Sequence, residues 1–189
     1  ISDGSFLNDA FTTRSVAFKF NASSLSDEQI LFDEGGTTNG FSIKVVSDEV
    51  QFAVRAGGAG SQTDLSASVS GLENTWIQVI AIFDNGDMRL IVNGNSTDTT
   101  AGFTTVPDHS DAGGAGAQHG GGNAHGDTSA DGLNGSMDDI AVFSAALTDT
   151  QVSLINGVTP SASVLSPLEA DLLVRYAFEN AGDLGEDST

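Results

Sequence analysis

Asp138 and Asp139 stand side by side at the head of the run Met137-Asp138-Asp139-Ile140-Ala141-Val142-Phe143, which is otherwise apolar. A buried carboxylate without a partner is too costly to keep, so a metal ion or a set of donor groups is expected there. Neighbours on a strand point to opposite faces, so the two carboxylates are not expected to work as a pair. A second group lies in and just beyond Ala112–Gly126, AGGAGAQHGGGNAHG, where His119 and His125 come close to Asp127. Two imidazoles and a carboxylate could bind Zn²⁺, but their spacing fits no established ligand pattern and a Gly-rich loop is poorly preorganised. The plainer reading is a short small-residue strand, Gly114–Gln118, running into a flexible surface loop. The same loop, with His119, Asn123, His125 and Asp127, is a candidate ligand contact, because binding residues of sandwiches cluster on loops. Neither a G-x-S-x-G elbow nor a P-loop is present.

The elements that must position these groups are short. β-Branched and aromatic runs recur at Val16–Phe20, Ile30–Phe32, Phe41–Val46, Val50–Val54, Trp76–Phe83, Arg89–Val92 and Ile140–Phe143, separated by Asp, Asn and Gly. That is the pattern of an all-β, two-sheet antiparallel sandwich. Gly135-Ser136 is expected to turn the chain into the last of these strands. One short helix is predicted near the C-terminal end. It opens at Thr148 or Asp149, carries Val152, Leu154 and Ile155, and is closed by Asn156-Gly157 and Pro160.

Leu133–Asn156 resembles the closing strand and helix of laminin G-like domains, in the concanavalin A-like jelly-roll superfamily. Leu72–Ile80, with Trp76, is similar to that family's Trp-bearing strand. Phe83–Gly94, FDNGDMRLIVNG, is similar to its hairpin, and Gln29–Gly36 to an early strand entering a Gly loop. The resemblance covers most of residues 11–160 and implies a laminin G-like jelly roll over 1–160. It also implies a structural Ca²⁺ where the closing strand meets the Gly loop. Asp138 would be its side-chain ligand, with Glu34 and Gly35 supplying further oxygens and Asp139 a weaker candidate. Trp76 would be a core residue rather than a sugar platform.

Resemblance also bears on catalysis. Sugar-cleaving jelly rolls need an E-x-D-x-x-E pair of carboxylates on one strand face. Glu28, Glu34, Glu49, Glu73, Glu169, Glu179 and Glu186 form no such pattern. Polysaccharide lyases of this fold need a Tyr/His/Arg/Gln cluster on the concave face, and the lone Tyr lies in the tail. No enzymatic activity is expected.

The family's usual first strand is missing from the start of the chain. A similar strand lies at the other end, in 171–189, after a Pro/Ser-rich linker at 161–170. This strand either completes its own sandwich, completes a neighbour's in a head-to-tail assembly, or begins another repeat. Leu172, Val174, Tyr176 and Phe178 are expected on one apolar face, with pairing to Ile140–Phe143.

Charge narrows the partners. The chain carries 26 acidic against 6 basic residues, a net charge of −20. Such a field repels phosphate backbones, so nucleic acid is not an expected partner. No run is long and apolar enough for a membrane span. Absence of cysteine leaves no disulfide framework. No signal peptide is read at Ile1-Ser2-Asp3-Gly4, which suggests a mature or excised fragment. The expectation is an extracellular or cell-surface module that binds a glycan or an extracellular protein, with a strand-exchanging structural subunit as the alternative.

Overall fold

The computed structural model of the chain describes residues 5–58, 60–118, 120–157 and 169–176. Among these residues twelve strands build two facing sheets. They are β1 (Thr13–Ala22), β2 (Gln29–Gly35), β3 (Asn39–Val46), β4 (Glu49–Ala56), β5 (Gln62–Ser68), β6 (Ile77–Asp84), β7 (Asp87–Val92) and β8 (Asn95–Thr100). The rest are β9 (Gly114–Ala115), β10 (Asp131–Gly132), β11 (Gly135–Phe143) and β12 (Leu172–Tyr176). The first sheet runs β12-β11-β1-β6-β7-β8. The second runs β10-β2-β3-β4-β5, with β9 also paired to β2. Every pairing is antiparallel except the two-residue contact of β10 with β2.

Alternation explains the core. Phe18 and Phe20 of β1, Phe41, Ile43 and Val45 of β3, Phe52 and Val54 of β4, and Val79, Ala81 and Phe83 of β6 are buried between the sheets. The first sheet is apolar on its outer face as well. Ala17, Ile80, Ile82, Ile91, Ala141 and Phe143 pack there with Leu147 and Val152. Helix α1 (Asp149–Gly157) covers that face. This double burial is why β11 reads as a continuous apolar run. The helix begins with a reciprocal cap: Gln151 N donates to Thr148 Oγ1 at 3.3 Å, and Thr148 N donates to Gln151 Oε1 at 2.8 Å.

Two Asn-Gly turns set the β6–β7–β8 meander. Asn85-Gly86 and Asn93-Gly94 all have positive φ, 50° and 103° then 48° and 81°, as a two-residue hairpin of matching twist requires. The outermost strands β5 and β8 were absent from the sequence expectation. Their sequences, QTDLSAS and NSTDTT, are polar because an edge strand has solvent beside it. Gly135-Ser136 is no turn: both residues lie in β11, across from Ala22 and Asn21.

β12 pairs with β11 of its own chain, Ile140 opposite Tyr176 and Val142 opposite Val174. Among the described residues, Leu172 and Val174 of the expected apolar face part company. The register shifts between Val142 and Phe143, so that Phe143 stands opposite Leu172. Leu173 and Val174 therefore pack against the main core while Leu172 joins the outer cluster under the helix. Phe178 lies outside the described residues, as does the side chain of Tyr176. Trp76 also departs from expectation. It precedes β6 rather than entering the core, and the residue is 51% exposed.

Candidate functional site

The Asp138-Asp139 doublet abuts a bulge. Between the pairs Ala17–Ala141 and Lys19–Asp138, β1 contributes one residue and β11 two. Asp139 takes the extra place with φ of 52°, a left-handed conformation that Asp tolerates better than most residues. Its carboxylate is 2.7 Å from Lys19 Nζ, and its N–H donates to Asp138 Oδ1 at 2.8 Å. The donors required by burial are thus a lysine and a backbone amide.

Glu34 belongs elsewhere. It is fully buried and pairs with Arg14 at 2.9 Å. Burial outweighs the guanidinium and pushes its carboxyl up to about 8. Arg14 and Lys19 stand five residues apart on β1, roughly 16 Å along the strand, and Glu34 and Asp139 attach to these two different residues. Gly35, with φ of 92°, closes a tight turn in which Gly36 N donates to Asn39 O at 2.8 Å. The residues expected to hold Ca²⁺ therefore do not come together. Among the described residues no group of three or more His, Asp or Glu is placed to hold a metal ion.

The Gly-rich loop is better built than a flexible surface loop. It crosses the outer face of the second sheet with Asn123, Ala124 and the His125 side chain buried. Asn123 folds it: its Oδ1 accepts from His125 N at 2.9 Å, and its Nδ2 donates to Gln118 Oε1 at 3.1 Å. Gly126 is required where the loop passes Arg55, because a Cβ there would meet the guanidinium. Arg55 in turn donates to Thr37 O and to Gln62 Oε1. Asp127 anchors the far end, 3.0 Å from Lys44 Nζ, which also holds Glu28 at 2.6 Å. Burial works to raise Asp127, and the Lys44 hydrogen bond overrides it and leaves the carboxyl low. Asn123, His125 and Asp127 are thus brought together; His119 lies outside the described residues.

Beside this loop the sheet face opens into a groove of about 280 Å³ lined by Lys44, Gln51, Gln62, Asp64, Leu65, Ser66 and His125. Its strand residues were not singled out by sequence. Alternation of β3, β4 and β5 alone places Lys44, Gln51 and Ser66 in one row, since Lys44 pairs with Gln51 and Gln51 with Ser66. Burial and the nearby Lys44 drive His125 down to about 3, so its ring is neutral. The ring stands 3.8 Å from Asp64. The Gln51 amide and Ser66 hydroxyl make no side-chain hydrogen bond among the described residues. The groove thus offers free amide and hydroxyl groups, an exposed carboxylate and a neutral imidazole. A second cavity, of about 310 Å³, lies between Asp9–Arg14, Ser144 and Leu173. There Thr13 Oγ1 already donates to Ser144 O, and Ser144 N to Asp171 O.

Solved structures share this architecture. Domains LG4-5 of the mouse laminin alpha1 chain match with a TM-score of 0.58 and 14% identity over 72% of this chain and 38% of that one. A candidate carbohydrate-binding protein from Bacteroides ovatus matches with a TM-score of 0.65 and 18% identity, over 91% of this chain and 47% of that one. The binding domain of botulinum neurotoxin DC, solved in complex with SialylT, matches at 0.59 and 18%, over 80% and 35%. Identities this low show the fold alone, and this chain spans less than half of each of the three. No curated protein matches the chain. A family profile does, over residues 1–153, which is most of the chain. The chain therefore belongs to the laminin G-like family of the concanavalin A-like lectin/glucanase superfamily.

Proposed function

We propose that this chain is a non-catalytic, extracellular recognition module that binds an uncharged glycan in the groove beside His125. One observation carries the reading: Gln51 and Ser66 present an unpaired amide and hydroxyl in a groove whose other members are fixed. Paired donors and acceptors held on a sheet are what a ring of sugar hydroxyls needs. Lys44 is already satisfied by Glu28 and Asp127, so the groove has no spare cation for an acidic sugar. The net charge of −20 works against anionic ligands as well. Support from outside the chain is the family match and the carbohydrate-binding description of the Bacteroides ovatus neighbour. Laminin G-like domains are typically extracellular, and among the described residues no helix is long and apolar enough to cross a membrane.

The test is a glycan array probed with the full chain, Gln51→Ala and Asp64→Ala. Binding to neutral glycans that both substitutions weaken, with sialylated glycans ignored, supports the reading. Binding that neither substitution alters removes the groove from it.

A second reading draws on the β12–β11 pairing. Made with a neighbour's tail instead, the same pairing would link subunits head to tail as a structural assembly.

A further inference from the structure

We infer that Trp76 and the amide groups around it form a second subsite for uncharged glycans, at the end of the first sheet and apart from the groove. Among the described residues Trp76 is the one large hydrophobic side chain left exposed, at 51%. An indole is normally well buried, and one held half in water on a rigid backbone is poised to stack.

Hydrogen bonds hold the backbone leading to it. In the turn that leads to it, Leu72 N donates to Val69 O at 3.1 Å and Thr75 Oγ1 to Leu72 O at 2.6 Å. Asn74, in the left-handed conformation with φ of 59°, donates its N–H to Ala22 O at 2.8 Å. Immediately after Trp76, Ile77 enters the sheet opposite Phe20. Ile77 and Val79 face the core, so alternation puts Trp76 on the side of Gln78. Continuing the β1–β6 register places Asn21 across from Trp76. Gln78 donates its Nε2 to Ile155 O at 3.0 Å, and Asn93 accepts with Oδ1 from Gln78 N at 2.9 Å. Gln78 and Asn93 are each held by one end of the amide, and among the described residues Gln78 Oε1 and Asn93 Nδ2 take no partner. An aromatic face that the register sets beside Asn21 and Gln78 matches a pyranose ring, whose C–H face stacks while its hydroxyls hydrogen-bond at the edge.

A protein contact fits less well. Protein-binding patches gather several apolar side chains, whereas no other large hydrophobic residue is exposed among those described. Anionic sugars are disfavoured by the overall charge, as at the groove. Two subsites on opposite sheets would let one module bridge two glycan chains.

Because Trp76 is the chain's single tryptophan, its fluorescence reports on this subsite alone. The full chain would be titrated with neutral hexasaccharides of glucose, mannose, galactose and N-acetylglucosamine. The expected result is a blue-shifted emission, shielded from acrylamide, with at least one of them. Gln51→Ala should keep that response, and Trp76→Ala should weaken calorimetric binding of the same sugar roughly tenfold. A response that survives while the groove variants bind normally on the array supports this subsite and rejects the groove. Emission unmoved by every hexasaccharide overturns the inference. Emission that shifts instead with protein concentration, alongside a dimer in sedimentation, also overturns it and assigns Trp76 to a protein contact.

Discussion

Lys19 Nζ lies 2.7 Å from Asp139 Oδ2, across the one place where β11 carries an extra residue against β1. Two demands meet in Asp139, a left-handed backbone and a counter-charge for a partly buried lysine. Asp139→Ala is expected to cost about 2–3 kcal/mol, from the lost charge-assisted bond and a side chain that tolerates this conformation poorly. Asp139→Gly loses the same bond but suits the backbone, so it should recover about 1 kcal/mol of that loss. Urea unfolding of the two variants decides it. Equal losses would show that the bulge conformation carries no strain.

Two buried groups give the stability a pH dependence of opposite signs. Glu34 rises from an ordinary value of 4.5 to about 8 on folding, so the folded state holds its proton more tightly. Its contribution is fully present below 4.5 and is lost as pH rises toward 8. His125 falls from 6.5 to about 3, so its contribution is present above 6.5 and is lost as pH falls toward 3. Between pH 6.5 and 8 Glu34 outweighs His125, and Tm should drop as pH rises. Glu34→Gln should flatten that limb and leave the acid limb intact. A native-like alkaline limb in Glu34→Gln would assign the effect to another group.

Removing the tail tests what β12 does. A chain ending after Gly157 uncovers the β11 edge and the contacts of Leu172, Leu173 and Val174, a loss on the order of 3–6 kcal/mol for three partly buried side chains. Size-exclusion chromatography and thermal melting should show a destabilised, self-associating product. If the strand is exchanged between subunits, the full chain forms concentration-dependent oligomers and the truncated one does not. A monomeric truncation of unchanged Tm would make the tail the start of another unit.

Charge predicts the ionic response. With a net charge of −20 and few pairing cations, Tm should rise with NaCl even in the presence of a chelator. Calcium should add nothing beyond that screening, because Asp138, Glu34 and Gly35 do not converge. A Tm rise specific to calcium that survives Asp138→Ala would place an ion on other ligands.

Most of the sandwich was legible because its signal is local. β-Branched runs, the Asn-Gly turns and the Thr148 cap state their own geometry. Edge strands β5 and β8 were not legible, since a strand with solvent on one side needs few apolar residues. The Asp doublet signalled a buried charge that needed donors, yet its lysine stands 120 positions away in sequence and only the register brings it near. Trp76 illustrates the converse: a family resemblance suggested burial, and its place one residue before β6 leaves it outside. In the groove, His125 and Asp127 were marked by type, whereas Gln51, Asp64 and Ser66 are ordinary strand residues until the pairing of β3, β4 and β5 aligns them.

Binding of an uncharged glycan beside His125 can be read directly by amide NMR mapping. A titration of the isotope-labelled chain with a neutral oligosaccharide selected on the array should shift the amides of Lys44, Gln51, Asp64, Ser66 and His125, saturably and together. These shifts should vanish in Gln51→Ala. Saturable shifts that avoid β3, β4, β5 and the His125 loop, or no shifts at concentrations that saturate the array, would rule out glycan binding in this groove.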